Sequence, residues 1–148
     1  MLESVFTDDF KSKIITTHGI YYSKMSVLNL LNNSCISFAS TFEGRIRAMI
    51  KMMNYYKKPP ILINPWELGA FPTMSYKNPM CIWIFNHRFE VKEVSKGLSF
   101  ITFFDGTSVY VNVSKHVLLK QQQRLQAAIS TYSLIQREKN LYIGKDPR

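Results

Sequence analysis

The chain has 148 residues, enough to bury a core, and its 46% hydrophobic and 20% charged residues exclude a disordered polymer. No apolar run approaches the roughly 18 residues that a membrane span requires, and the N-terminus lacks a signal-peptide pattern, so we expect a cytoplasmic protein with no membrane partner. The formal net charge of +9 favours a polyanion, with nucleic acid first, as the binding partner.

The N-terminal third is expected to begin with a mobile segment and to continue as strands. Residues 1–10 contain three acidic residues and no basic one, which indicates an acidic, flexible lead-in. Residues 13–22 are rich in β-branched and aromatic side chains around a His-Gly pair, and this pattern predicts a β-hairpin. An apolar run at 25–31 and a short alternating stretch at 34–38 follow.

One short internal helix is predicted near residues 42–53. Thr41 is in position to cap its N-terminus, and Pro59-Pro60 requires it to end beforehand, because proline and its predecessor resist helical geometry. Apolar residues recur at i, i+3, i+4 and i+7, the spacing of one helical face. These residues are Ile46, Met49, Ile50 and Met53.

The centre of the chain is expected to form most of an antiparallel sheet. Residues 61–63 and 68–71 are short apolar runs, and residues 80–94 alternate as one long strand. The Asp-Gly pair between residues 98–104 and 107–113 is the clearest hairpin signal, since it supplies the positive φ angles of a tight turn.

A long amphipathic helix is predicted over residues 115–139, with Ser114 as its cap and a tail at 141–148. The sequence therefore predicts an α+β fold: a mostly antiparallel sheet with one short internal helix and a long C-terminal helix. Residues 11–140 are expected to form a single domain.

Clustered cations are the candidate functional residues. Residues 45–58 hold five basic residues and no acidic one, with Tyr55 and Tyr56 among them as candidates for stacking on bases or sugars. Such cations can neutralise phosphates, and arginine can enter a narrow A·T minor groove. An ordinary solvated basic face is the alternative. The predicted DNA contacts are Arg45, Arg47, Lys51, Lys57, Lys58, Lys115, Lys120 and Arg124.

Signals for catalysis are weak. Glu90 and Lys92 match half of a metal-dependent nuclease site, for which Glu67 is the only nearby second acid. Cys35 and Cys81 form no CxxC pair and are interpreted as buried thiols. We therefore expect no catalytic residue, no metal and no cofactor, and keep a nuclease as an alternative function.

A set of motifs spread over residues 20–114 resembles the ComK family of bacterial competence transcription factors. The motifs, in chain order, are Ser34-Cys35, Phe38, Gly44-Arg45, Lys58-Pro59-Pro60-Ile61, Phe71-Pro72-Thr73, Cys81, Trp83 and Val91-Lys92-Glu93. Most of them look like positions that define the fold, and Arg45 and Lys58 are the two that are also plausible DNA contacts.

The resemblance implies a transcription activator of DNA-uptake genes that binds AT-rich promoter boxes, largely through the minor groove and phosphates. It also implies a homo-oligomer, a dimer or higher, with a Clp-protease adaptor and RNA polymerase as further partners. Family members usually continue into a charged C-terminal region, whereas this sequence stops at Arg148. We therefore expect DNA binding more firmly than activation, and a protein-interaction module that modulates a longer relative or RNA polymerase is the alternative.

Overall fold

The computed structural model describes residues 1–144, and the predicted α+β class is confirmed. Over these residues the chain forms nine strands and three helices, and all paired strands are antiparallel. The elements are β1 (Leu2–Ser4), β2 (Ser12–Thr16), β3 (Gly19–Ser23), α1 (Val27–Ile36), α2 (Phe42–Met53), β4 (Ile61–Asn64), β5 (Leu68–Pro72), β6 (Trp83–Phe85), β7 (Phe89–Ser95), β8 (Leu98–Phe103), β9 (Ser108–Val111) and α3 (Lys115–Gly144).

The strands divide into two sheets instead of the single sheet that we expected. Six strands pair in the order β3-β2-β1-β6-β5-β4, and β7, β8 and β9 form a separate three-stranded sheet. Side chains of β4, at one edge of the larger sheet, are buried on both faces. Ile61 and Ile63 join one apolar cluster with α1 and α2, while Leu62 between them joins a second cluster with the small sheet and α3. The six-stranded sheet is therefore covered on both faces at its β4 end, whereas β3 at the other edge is largely exposed.

The first residues belong to this sheet, so the expectation of a flexible lead-in over residues 1–10 is wrong for its first part. Leu2 is buried and pairs with both Ile14 of β2 and Trp83 of β6. Glu3 forms an ion pair with Lys13 across the β1–β2 ladder. A segment of three residues is too short to show a strand pattern in the sequence. It is a strand because β2 and β6 pair with it on either side.

A second internal helix, α1, replaces the apolar run and alternating stretch that we expected at 25–38. The Ser26 hydroxyl caps it by accepting a hydrogen bond from the Asn29 backbone N–H at 3.2 Å. Its buried residues, Val27, Leu31 and Cys35, follow a spacing of four, which is a helical repeat. This spacing and the Ser cap were signals in the sequence for α1.

The long strand expected at 80–94 is broken into β6 and β7, which lie in different sheets. Asn86 marks the break: its side chain accepts a hydrogen bond from the Gly69 N–H at 3.0 Å and donates one to the Glu67 carbonyl at 2.8 Å. The side chain thus takes the place of a backbone partner, and the chain leaves the first sheet there. The alternation of polar and apolar residues could not reveal the break between β6 and β7, because the alternation is the same in both strands.

Two helix caps and the Asp-Gly hairpin are confirmed. The Thr41 hydroxyl caps α2 by accepting from the Gly44 N–H at 3.0 Å, and Ser114 does the same for the Val117 N–H at 3.2 Å. The Asp-Gly hairpin joins β8 to β9, with Gly106 at a φ of 91°. Helix α3 continues past the expected end to Gly144, so the predicted tail begins inside the helix, and residues 145–148 lie outside the described residues.

Candidate nucleic-acid interface

Helix α2 presents two cations to solvent. Its buried face consists of Phe42, Ile46 and Met49, and Arg47 and Lys51 are exposed one helical turn apart. Residues at i and i+4 share a face of a helix. The two side chains therefore form a short basic row, and the helix has its only acidic residue, Glu43, in its first turn.

Arg45 has a different environment. Its Nη2 donates hydrogen bonds to the carbonyls of Phe38 and Ile63, both at 3.3 Å, and its buried Nε has no partner among the described residues. The guanidinium therefore connects α2 to the segment after α1 and to β4. Its Nη2 group is used inside the protein, and we infer that Arg45 shapes the surface more than it contacts a ligand.

The loop between α2 and β4, residues 54–60, is held against α3. The Gln121 amide donates to the Lys58 carbonyl at 2.9 Å and to the Pro72 carbonyl at 2.8 Å. Gln121 is almost fully buried, so these bonds satisfy carbonyl groups that water cannot reach. Lys58 has a φ of 48°, a left-handed conformation that this anchoring maintains.

Arg124 completes the connection between α3 and the loop. Its Nη1 donates to the Lys58 carbonyl at 3.4 Å, and its guanidinium lies over the Tyr55 ring at 4.1 Å from the centroid. Burial lowers the pKa of Arg124, and the ring partner offsets part of this effect. Tyr55 is therefore occupied by Arg124, whereas Tyr56 is 71% exposed and is free to stack on a ligand.

The tether connects the loop that follows α2 to α3, and each of these three elements carries exposed cations. Lys57 is exposed in the loop beside the half-buried Lys58, and Lys120 is exposed on α3 one turn before Arg124. We refer to these residues together as the basic surface: Arg47, Lys51, Lys57, Lys58 and Lys120. Lys115 is exposed at the start of α3, where its N–H donates to a Glu93 carboxylate oxygen at 3.4 Å.

No carboxylate of residues 1–144 neutralises the basic surface. The one ion pair within the described chain joins Lys13 to Glu3 at 3.6 Å, on β2 and β1. The sequence around the surface is also free of acids over residues 44–66 and 106–137. Unpaired cations on a surface create a positive potential that attracts phosphates.

The residues considered for a nuclease are separated. Glu67 lies in the turn between β4 and β5, where it accepts a hydrogen bond from the Asn64 amide at 3.0 Å, and Glu90 is exposed on β7 of the other sheet. Within the described part of the chain, no three His, Cys, Asp or Glu side chains cluster as metal ligands. Cys35 and Cys81 are buried and unbonded to each other, as predicted.

A cavity of about 800 Å³ was not anticipated from the sequence. It is lined by β1 and β2, by the β6–β7 connection and by the β8–β9 turn, and Ile15, Phe85 and Phe103 contribute to its apolar walls. None of the predicted DNA contacts lines it. In residues 1–144, no helix combines the length and the apolar character needed to span a membrane.

Comparisons with known proteins agree with the motifs. The family described as ComK protein matches residues 1–139. A curated relative, the competence transcription factor of Bacillus subtilis (strain 168), is 30% identical over 115 residues, which is 76% of this chain and 60% of the relative. The match thus spans less than two thirds of the relative's length, and no solved structure matches the chain. With a family match over nearly its whole length, the chain belongs to the ComK family.

Proposed function

We propose that this protein is a DNA-binding transcription regulator of competence genes that binds AT-rich promoter boxes. The observation that carries the proposal is the basic surface, in which exposed cations from α2, the 54–60 loop and α3 have no carboxylate partner within residues 1–144. The relative's name, a competence transcription factor, supports the assignment to competence. In this proposal the protein acts by binding and not by catalysis.

We infer that the phosphate contacts are the exposed cations Arg47, Lys51, Lys57 and Lys120, together with the half-buried Lys58. Lys115 is also exposed, but it lies beside the carboxylate of Glu93 and is left out of this set. Arg45 and Arg124 support this surface from below through their bonds to backbone carbonyls. Minor-groove binding distinguishes A·T from G·C by groove width and potential, so it requires cations more than a recognition helix.

Fluorescence anisotropy with two duplexes of equal length, one with AT-rich boxes and one GC-rich, tests the proposal across a salt series. We expect preference for the AT-rich duplex at physiological salt. With about five phosphate contacts, the logarithm of the binding constant should fall with the logarithm of the salt concentration at a slope of roughly −4 to −5. No duplex binding near physiological salt would contradict the proposal and favour a protein-interaction module.

Single substitutions locate the contact surface. Arg47→Gln, Lys51→Gln, Lys57→Gln and Lys120→Gln should each weaken binding to both duplexes and reduce the salt slope by about 1. Lys96→Gln is the matched control, because Lys96 is equally exposed but lies in the β7–β8 turn of the small sheet. Equal effects of Lys96→Gln and Lys57→Gln would mean that charge alone, without a defined surface, attracts DNA.

A further inference from the structure

Strand β3 is an exposed edge without the usual protection. It is the last strand of the six-stranded sheet, and it pairs with β2 in continuous register without a bulge. Ile20, Tyr21 and Tyr22 each expose more than half of their surface, at 55%, 53% and 51%. Natural edge strands are normally blunted by charge, proline or a bulge, and β3 contains none of these.

The hydrogen bonds of β2 show which backbone groups of β3 are free. The Ile15 N–H donates to the Met1 carbonyl at 2.9 Å, so the backbone of Ile15 faces β1 and not β3. Ile20, directly opposite Ile15, therefore directs its N–H and C=O to the open edge, and the alternation of the ladder gives Tyr22 the same direction. Tyr21 faces β2.

We propose that β3 pairs with β3 of a second copy, antiparallel across a twofold axis at Tyr21, and so joins two six-stranded sheets. In this register Ile20 of one copy is opposite Tyr22 of the other. Each such pair exchanges both of its backbone hydrogen bonds, because both residues present their free groups at the edge. Tyr21 of one copy is opposite Tyr21 of the other, at a position where no hydrogen bonds are exchanged and side chains lie closest.

The side chains of β3 also complement themselves. The register matches an aromatic residue with a β-branched one at each Ile20–Tyr22 pair, a combination that stabilises antiparallel sheets. Residues 16–23 carry no Lys, Arg, Asp or Glu, and the neighbouring Lys13 is ion-paired with Glu3. In a chain with a net charge of +9, the strand itself thus adds no charge to the contact, and Lys24 is the first cation beyond its end.

The position of β3 in the sheet leaves the basic surface accessible. Helices α2 and α3 both contact β4, which is the opposite edge strand of the same sheet. A dimer built through β3 therefore carries its two basic surfaces on the outer ends. The proposal stands independently of DNA binding, and its tests are done without DNA.

Disulfide trapping tests the register. Tyr21→Cys should form an intermolecular disulfide under mild oxidation, since Cα atoms of a non-hydrogen-bonded pair are about 4.5 Å apart, within disulfide range. Ile20→Cys and Tyr22→Cys are matched controls, because the native residues are similarly exposed. In the proposed register each of these cysteines is diagonal to the same cysteine of the second copy, roughly 7–8 Å away. Non-reducing gels should show a covalent dimer for Tyr21→Cys in large excess over both controls. Equal trapping of all three variants would overturn the proposed register.

Sedimentation measures the association itself. The unmodified protein should be dimeric, and Tyr22→Pro should be monomeric with an unchanged circular dichroism spectrum, because proline removes an outward N–H that β2 does not use. Ile20→Lys is the second variant, for use if the proline variant fails to fold. It places a charge in the proposed interface and should also give a monomer. A monomeric unmodified protein at high concentration, or a dimer that survives in folded forms of both variants, would overturn the proposal.

Discussion

Arginines with the same charge have different roles in this protein, and their hydrogen-bond partners decide which. Arg45 and Arg47 are two residues apart on α2, but Arg45 donates to two backbone carbonyls while Arg47 extends into solvent. Arg124 likewise serves the 54–60 loop, whereas Lys120 one turn earlier is exposed. A sequence motif that includes an arginine therefore marks either a fold position or a contact, and geometry separates the two.

Replacing Arg45 should affect stability more than DNA affinity. Arg45→Ala removes the donors of two carbonyls, and we expect a loss of about 1–3 kcal/mol in the free energy of unfolding, measured by urea denaturation. Arg47→Ala is the matched control and should leave stability within about 0.5 kcal/mol while weakening duplex binding. If Arg45→Ala is fully stable and binds DNA as poorly as Arg47→Ala, its role is contact and not support.

At the scale of elements, the placement of α3 explains why the basic surface exists. The helix lies against β5 closely enough that Leu125 covers Gly69, and Gln121 one turn earlier reaches the Pro72 and Lys58 carbonyls. These contacts fix the position of α3 relative to the 54–60 loop. The cations of the loop and of α3 become neighbours because this packing holds, and their separation in sequence is no guide to it.

Gly69 tests that packing. A Cβ at this position would lie 2.6 Å from the terminal methyl Cδ1 of the buried Leu125, which would have to shift, and 3.1 Å from the Ile61 carbonyl oxygen, which is a tight contact. Gly69→Ala should therefore destabilise the protein by about 1–3 kcal/mol through overpacking. Thermal or urea unfolding measures the effect.

A double-mutant cycle identifies the cause of that loss. In a Leu125→Val background the side chain is shorter, so Gly69→Ala should cost less than in the unmodified protein. Purely additive effects of the two substitutions would show that the strain at Gly69 arises elsewhere, at the Ile61 carbonyl.

At the scale of the whole molecule, the six-stranded sheet separates two apolar cores. One lies under α1 and α2 and contains both cysteines, and the other lies between the sheet, the three-stranded sheet and α3. Cys35 and Cys81 both expose less than a twentieth of their surface. Thiol chemistry consequently reports on the opening of this first core.

The thiols should stay unreactive in the folded protein. Burial raises the pKa of Cys35 and of Cys81 above the ordinary value of 9.0, so neither supplies thiolate at neutral pH. With a chromogenic disulfide reagent, we expect slow reaction of the native protein even at pH 9 and rapid reaction of two thiols in urea. Fast reaction of one thiol without denaturant would show that the helical layer opens locally.

Features encoded by neighbouring residues could be predicted from the sequence. The α+β class, helix α2 with its Thr41 cap, the Asp-Gly hairpin and the long C-terminal helix all rest on periodicity, caps and turns within a few positions. The motifs likewise predicted the ComK family, which the family match over residues 1–139 confirms. Helix α1 has the same kind of local signals, a Ser cap and a spacing of four, so it too could be predicted from the sequence.

Only the tertiary structure decided which groups are left without partners. The break between β6 and β7 depends on Asn86 meeting Gly69 and Glu67, and β1 is a strand because β2 and the distant β6 flank it. The same long-range pairing occupies Arg45 and leaves the β3 edge open. The physical reason is that each backbone or side-chain group has few hydrogen-bonding positions, and residues far away in the chain determine whether they are filled.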